Sequence, residues 1–122
     1  MPSPSIQMSQ AVAINVITPV VQGSGAFLSA AIDLIDFEGV VIVTQNLGAL
    51  SGAFTVPILT DSDTSGGTYG TIATSGALGT TASAITSVAY NVSEGKRFLK
   101  YSATVGTTAA ISVTLHGFKK YR

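Results

Sequence analysis

Apolar residues recur at every second position along most of this 122-residue chain, and no stretch shows the period of an amphipathic helix. The alternating segments are rich in Val, Ile, Thr and aromatic residues, which strands favour. Turn-forming residues separate these segments at intervals of about ten residues. The pattern predicts an all-β protein with about seven to nine short strands. We expect a single β-sandwich of the jelly-roll or Greek-key type.

The predicted strands differ in their expected place in the sheet. Gly39 to Gln45 is a continuous β-branched run bounded by turn residues, which indicates a central strand covered on both faces. Pro19 closes the first strand, because proline cannot donate a ladder hydrogen bond, and Pro57 places its own strand at an edge or a bulge. The first strand ends at about Ile17, and the others span Ala26 to Ile35, Ala53 to Thr60, about Gly70 to Thr74, Ala84 to Asn91, Phe98 to Val105 and Ala110 to Phe118.

The N-terminal segment, residues 1–11, differs from the rest of the chain. Its first ten residues are polar, contain Pro2 and Pro4, and show neither the strand period nor the helix period. We therefore expect an extended arm, followed by a sandwich domain over residues 12–122. The arm has too little apolar surface to order itself, so contacts with neighbouring subunits would have to order it.

Charged residues make up only 10% of the chain, whereas Ser and Thr number 14 and 15. All six acidic residues precede position 95 and all six basic residues follow it. This segregation could attract neighbouring copies to one another. Alternatively, strand pairing could fold the basic stretch beside the acidic loops and neutralise both within one subunit. The zero net charge and the short basic tail argue against nucleic-acid binding. The longest aliphatic run, Val40 to Val43, is far too short to span a bilayer, so no membrane partner is expected.

Two parts of the sequence resemble chemical sites. Asp61 and Asp63 resemble the opening of a calcium loop, but Ile72 stands where the closing glutamate belongs, so a solvated turn is favoured. His116 is the only histidine, and its parity places it with Ser112 and Thr114 on the polar face of the last strand. A catalytic base would need a carboxylate partner that the sequence does not identify. We predict no catalytic residue, metal or cofactor.

Three segments follow one another in an order that carries a family resemblance. Ile32 to Val43 contains an Asp-bearing strand and a Phe-Glu-Gly step into a Val/Ile strand. Asn46 to Gly52 is a Gly-rich hairpin, and the strand after it ends in a Ser-Asp turn at Asp63. Lys96 to Gly106 begins with Lys-Arg, an aromatic residue and a further basic residue. Over about residues 29–118 the chain resembles small virion structural proteins of tailed bacteriophages.

The resemblance implies a non-enzymatic cement or decoration protein, made in the host cytoplasm and located on the capsid surface of the virion. Its partner would be the major capsid protein, which it clamps to stabilise the head. By analogy with three-fold capsid positions, it would also form a homotrimer. The alternatives are a neck or tail protein of the phage, a carbohydrate-binding or adhesin-like β-sandwich, and a hydrolase that depends on His116. The absence of Trp counts against the sugar-binding alternative.

Partner contacts are predicted at the arm and at the basic residues of the C-terminal part. The arm residues would reach a neighbouring subunit, and the basic residues would meet acidic surfaces. The predicted contact residues are Pro2, Pro4, Ile6, Met8, Lys96, Arg97, Lys119, Lys120 and Arg122.

Overall fold

The computed structural model describes residues 11–72, 78–93 and 95–119. These residues form strands, turns and loops without a helix, which confirms the all-β prediction. All strand pairs are antiparallel and belong to one hydrogen-bonded sheet. The strands are β1 (Ala11–Leu28), β2 (Ile32–Asp33), β3 (Phe37–Ser51), β4 (Phe54–Ser62), β5 (Gly70–Thr71), β6 (Ile85–Asn91) and β7 (Phe98–Lys119).

Strand β7 is the centre of the sheet and has a neighbour on each side along its length. On one side, β1 follows it from Ala11 opposite Phe118 to Leu28 opposite Ser102, and β2 continues the pairing. On the other side, β3 pairs with the C-terminal half of β7 and β4 with its N-terminal half. β6 pairs beyond β3, and β5 pairs beyond β4. Three long tracks of backbone therefore lie side by side: β1 followed by β2, the single strand β7, and β3 followed by β4.

All three tracks are interrupted at the same level of the sheet. β1 shifts register between Gly23 and Gly25, and the second track passes from β3 to β4 at Gly52, whose φ is +74°. The corresponding position in β7 is Gly106, whose N–H donates a hydrogen bond to the Ala53 carbonyl over 2.5 Å. A Cβ at Gly106 would lie 2.5 Å from the backbone nitrogen of Ala53. The two backbone segments can cross this closely only because Gly106 has no side chain.

The two halves of the bent sheet face each other across one core. Odd-numbered residues of β7 are buried in this core in both halves, from Leu99 to Val105 and from Ala109 to Leu115. The Tyr101 hydroxyl, in one half, donates a hydrogen bond to Oε1 of Gln45 in the other half. Hydrogen bonds along the strands and a shared apolar interior thus hold the sheet folded.

A chain of buried polar groups crosses this core. Besides accepting from Tyr101, Gln45 donates from Nε2 to the Gly79 carbonyl over 2.6 Å. The Gly79 N–H in turn donates to Oγ1 of Thr86 over 3.0 Å. Burial raises the pKa of Tyr101, so its hydroxyl stays protonated and remains a donor. The chain connects β7, β3 and β6, and it satisfies an amide that would otherwise be costly to bury.

Several predicted strand boundaries were wrong. β1 continues past Pro19 to Leu28, because β1 lies at a sheet edge and Pro19 falls in a register shift where it need not donate. The two predicted C-terminal strands, before and after Gly106, are one strand, β7. The predicted bulge at Pro57 is confirmed by the register shift between Thr55 and Ile58. The predicted strand near residue 70 is observed as β5, and its predicted end at Thr74 lies outside the described residues.

The prediction for β3 was half right. The strand is central, since it pairs with β6 on one side and β7 on the other. It is not covered on both faces, because Val41 and Val43 are fully buried whereas Val40 and Ile42 are 45% and 41% exposed. A β-branched run therefore marks one buried face here, and the other face lies on the outside of the molecule.

Candidate functional site

Every charged residue within the described ranges lies near one end of the folded sheet, which we call the charged end. Asp33 and Ser62 both lie opposite Phe98 at the start of β7, and Glu38 lies opposite Phe118 near its end. Hydrogen bonds of Tyr90 to Asp61 and Lys96 connect these two regions. The rest of the described surface carries no charged residue. The members are Asp33, Asp36, Glu38, Asp61, Asp63, Lys96, Arg97, Lys100 and Lys119.

Acidic and basic side chains pair within the charged end. Arg97 donates from Nε and Nη2 to the two carboxylate oxygens of Asp33, over 2.9 and 2.8 Å. The Arg97 guanidinium thereby holds the pKa of the Asp33 carboxyl below its usual value. Nζ of Lys100 lies 4.3 Å from the centre of the Tyr69 ring. The structure thus shows one ion pair between the acidic and the basic part of the chain within a single subunit.

Tyr90 joins the two halves of the sheet at the charged end. Its hydroxyl donates to Oδ2 of Asp61 over 2.8 Å and accepts the backbone N–H of Lys96 over 2.6 Å. Gly95 packs against the ring so closely that a Cβ there would overlap the hydroxyl. Burial, together with the bond to Asp61, raises the pKa of Tyr90 to about 12.

The predicted partner-contact residues fall into two groups. Lys96, Arg97 and Lys119 all lie at the charged end, and Arg97 is engaged by Asp33 of its own subunit. Ala11, assigned to the arm by the sequence, is instead the first residue of β1. The remaining arm, and the contact residues Pro2, Pro4, Ile6, Met8, Lys120 and Arg122, lie outside the described residues.

The two candidate chemical sites gain no support from the structure. Asp61 is occupied as acceptor for Tyr90, and no group of three potential metal ligands occurs within residues 11–72, 78–93 and 95–119. His116 is exposed on the outward face of β7, as its parity predicts. Its neighbours in register are Ala13 of β1 and Ile42 of β3, which are apolar. Nothing in this arrangement orients His116 as a base.

The surroundings of His116 form an apolar outward face that sequence reasoning missed. Across four strands, one row runs Ala13, His116, Ile42 and Ala89. A shallow groove of about 420 Å³ follows this region. We call it the His116 face, and its lining comprises Ala11, Val12, Ala13, Val40, Ile42, His116, Gly117 and Phe118.

A second apolar patch lies on the outward face of the other half-sheet. Leu28 and Val56 are 64% and 60% exposed, and they line a groove with Ala26 and Thr104. Val56 sits in the β4 bulge with φ of +53°, a conformation that β-branched residues rarely adopt. We call this region the Val56 patch. Its only sequence signal was Pro57, which predicted the bulge but not the exposure.

The sheet also has two uncharged edges. Among the described residues, β1 pairs only with β7 and β2 follows it on the same side, while β6 pairs only with β3. Neither β1 nor β6 contains a charged residue. Free edges of this kind are templates for pairing with another strand, and proteins commonly protect them with charges.

No protein-family model, no curated protein sequence and no solved structure matches this chain. Within the described residues, no helix has the length and hydropathy needed to cross a membrane. The functional interpretation therefore depends on the surfaces described above.

Proposed function

We propose that this chain is a non-enzymatic structural protein of a phage virion, a cement or decoration protein that clamps neighbouring major capsid protein subunits and acts as a homotrimer. One observation carries the proposal. Within the described residues, the molecule is divided into a charged end, where Arg97 pairs with Asp33 of the same subunit, and a body whose outward faces and edges carry no charge.

Such a body can be covered by partner proteins at little electrostatic cost. Burying an unpaired ion costs far more than burying a Ser or Thr hydroxyl that finds a hydrogen-bond partner, and Ala and Gly have no polar side chain to desolvate. The His116 face and the Val56 patch add exposed aliphatic side chains, and contiguous exposed apolar surface is typical of protein interaction sites. A subunit that is contacted on several sides in an assembly needs this kind of surface.

The fold also suits the proposed family. A single sheet folded over a shared core has the layered packing of a β-sandwich, and we propose that it is a variant of the jelly-roll or Greek-key type. Two segments that carry the resemblance meet in space. Ile32 to Val43 forms β2 and the start of β3, Lys96 to Gly106 leads into β7, and Asp33 lies opposite Phe98.

The sugar-binding alternative receives no support from a specific observation. Sugar sites generally stack pyranose faces on exposed aromatic rings. Tyr90, Tyr101, Phe37 and Phe54 are buried in the core, and Phe118 is the only largely exposed aromatic residue within the described ranges.

The test begins with the virion of the phage that encodes this chain. We expect cryo-EM of purified particles to show density for this fold on the head, at three-fold or quasi-three-fold positions. Location in the neck or tail, or absence from the particle, would overturn the proposal.

The surfaces are then tested by adding recombinant variants to capsids that lack the protein. We expect Ile42→Ser and Leu28→Ser, on the His116 face and the Val56 patch, to lower capsid affinity about tenfold or more, which corresponds to about 1.4 kcal/mol. Ile35→Ser is the matched control, since Ile35 is similarly exposed but lies at the charged end. Equal affinity of all three variants would show that neither apolar surface contacts the capsid.

A further inference from the structure

We propose that copies of this chain join side by side, with β1 of one copy pairing to β6 of the next, and close into a ring that leaves neither edge free. The inference rests on the proposed function, because it supplies the contact that would hold the proposed homotrimer together. It deepens that proposal by naming the surface and the partner strand.

The two edges belong to the same half of the sheet. In that half the strand order is β1, β7, β3, β6, so β1 and β6 are its two outer strands. The other half is bounded differently. On one side it has residues 25–28 of β1 and the two-residue strand β2, which carries Asp33, and on the other side the two-residue strand β5 pairs beyond β4. Among the strands that the structure describes, only those of the half that contains the His116 face place a long uncharged strand at both sides.

The directions of the two edge strands match those required in a ring. Each neighbouring pair in this half-sheet is antiparallel, so across four strands β1 and β6 run in opposite directions. Copies related by rotation about one axis point the same way along that axis. Strand β6 of the next copy therefore meets β1 antiparallel, and the sheet continues through the junction without inversion.

The side chains at the two edges are compatible with strand addition. On the inward face Val12 and Ile14 of β1 are only half-buried, as is Val88 of β6, so an added strand would complete their burial. On the outward face small residues dominate, including Ala13 and Ala89. β6 keeps a regular register with β3 throughout, and β1 keeps one with β7 from Ala11 to Asn15.

A second copy is favoured over another partner because the two edges match in direction and neither carries a charge that would repel the other. Neither edge offers a charged group that a foreign surface could recognise, and neither places like charges opposite each other when identical copies meet. Pairing β1 with β1 of a second copy would bury one edge and leave both β6 edges open. The ring pairs both edges, which removes the templates for further aggregation.

Engineered cysteines test the junction, and the chain has no native cysteine to interfere. Ala13→Cys is combined in turn with Ile85→Cys, Ser87→Cys or Ala89→Cys in the full-length protein. Within one copy Ala13 and Ala89 are separated by three strand spacings, about 14 Å, which is too far for a disulfide. Any disulfide between them must therefore join two copies.

We expect at least one double variant to oxidise into a ladder of covalent oligomers that ends at the native oligomer, with each single-cysteine variant remaining monomeric on a denaturing gel. The native mass of the unmodified protein should equal three or more 12.4-kDa chains. Circular dichroism of the reduced variants verifies the fold. A monomeric native mass would overturn the inference, as would covalent dimers of the Ala13→Cys single variant, which indicate β1–β1 pairing.

The outcomes also separate this inference from the proposed function. A ring formed by a chain that is absent from virions would remove the proposed function and leave the inference standing. If the protein is bound to the head but forms no cross-links in any double variant, the inference is overturned and the proposed function stands.

Discussion

Val56 combines a left-handed backbone with an exposed β-branched side chain. Its φ of +53° costs roughly 1–2 kcal/mol for an L-residue with a branched Cβ, whereas asparagine tolerates this region. We expect Val56→Asn to raise the free energy of unfolding by about 1 kcal/mol in urea denaturation. Val40→Asn, at an exposed position without positive φ, should give no such gain. If the Val56 patch contacts the capsid, the stabilised variant should also bind capsids more weakly. Unchanged stability of Val56→Asn would show that the bulge carries no strain.

The buried pair formed by Tyr101 and Gln45 is expected to be energetically coupled. Tyr101→Phe leaves Oε1 of Gln45 without its donor inside the core, which should cost about 1–3 kcal/mol. Gln45→Met leaves the Tyr101 hydroxyl and the Gly79 carbonyl unpartnered. Because the double variant removes both members of the first bond, its loss should be smaller than the sum of the two single losses. Additive losses in a double-mutant cycle would contradict this coupling.

Alkaline pH should destabilise the protein through its buried tyrosines. The pKa of Tyr90 is about 12 in the folded state, above its usual value near 10, and the pKa of Tyr101 is also raised. As the pH rises, the unfolded state therefore loses these protons first. The contribution of the two tyrosines to the free energy of unfolding is fully present below pH 10 and is lost as the pH rises through 12. Urea denaturation from pH 8 to 12 measures this loss.

Tyr90→Phe is the control for this pH dependence. The variant should be less stable at neutral pH, because it loses the bonds to Asp61 and to the Lys96 N–H. Above pH 10 its stability should fall less steeply than that of the native protein, since Tyr101 alone then contributes. An identical slope in both proteins would show that Tyr90 does not titrate with unfolding.

The bend depends on how closely two strand tracks pass each other. Gly106 lies where β7 crosses the link between β3 and β4, and a Cβ there would meet backbone atoms of Ala53 at 2.5 and 2.7 Å. Backbone cannot rotate away as a side chain can, so Gly106→Ala should destabilise the protein by about 1–3 kcal/mol or more.

Gly23→Ala is the matched substitution in the β1 track at the same bend. A Cβ at Gly23 meets nothing within 4 Å, and the residue has no positive φ. Alanine should therefore be neutral or stabilise by roughly 0.4–1 kcal/mol through the unfolded state. Thermal unfolding followed by circular dichroism compares the two variants. Equal melting temperatures would mean that the crossing at Gly106 can relax.

Division into a charged end and an uncharged body predicts how capsid binding responds to salt. The apolar body should bind independently of ionic strength, whereas any contribution of the basic tail should be screened, since the Debye length falls from about 10 Å at 0.1 M to about 3 Å at 1 M. We expect deletion of residues 1–10 and deletion of residues 120–122 each to lower capsid occupancy. Only the tail deletion should abolish the salt dependence. Unchanged occupancy in both variants would confine the contact to residues 11–119.

Local pattern was sufficient for the strand content of this protein and for much of its inner face. The parity of His116 correctly placed it on the outward side of β7. Successive side chains point to opposite faces of a strand, so a period of two is a property of the chain itself. The bulge at Pro57 was also predictable, because a missing N–H is a local property.

Pairing between distant segments decided the rest. Val40 and Ile42 are exposed because no described residue covers the outward face of β3. β1 tolerates Pro19 because, within residues 11–72, 78–93 and 95–119, no second strand pairs along its outer side. The acidic and basic residues, separated along the chain, meet only because the sheet bends and returns its strand ends to one place. Hydrophobic periodicity reports which side of a strand can be buried, but the neighbours that bury it are contributed by residues far away in the chain. The strands and their alternation therefore follow from the amino-acid order, whereas the bend, the charged end and the open edges are properties of the tertiary structure.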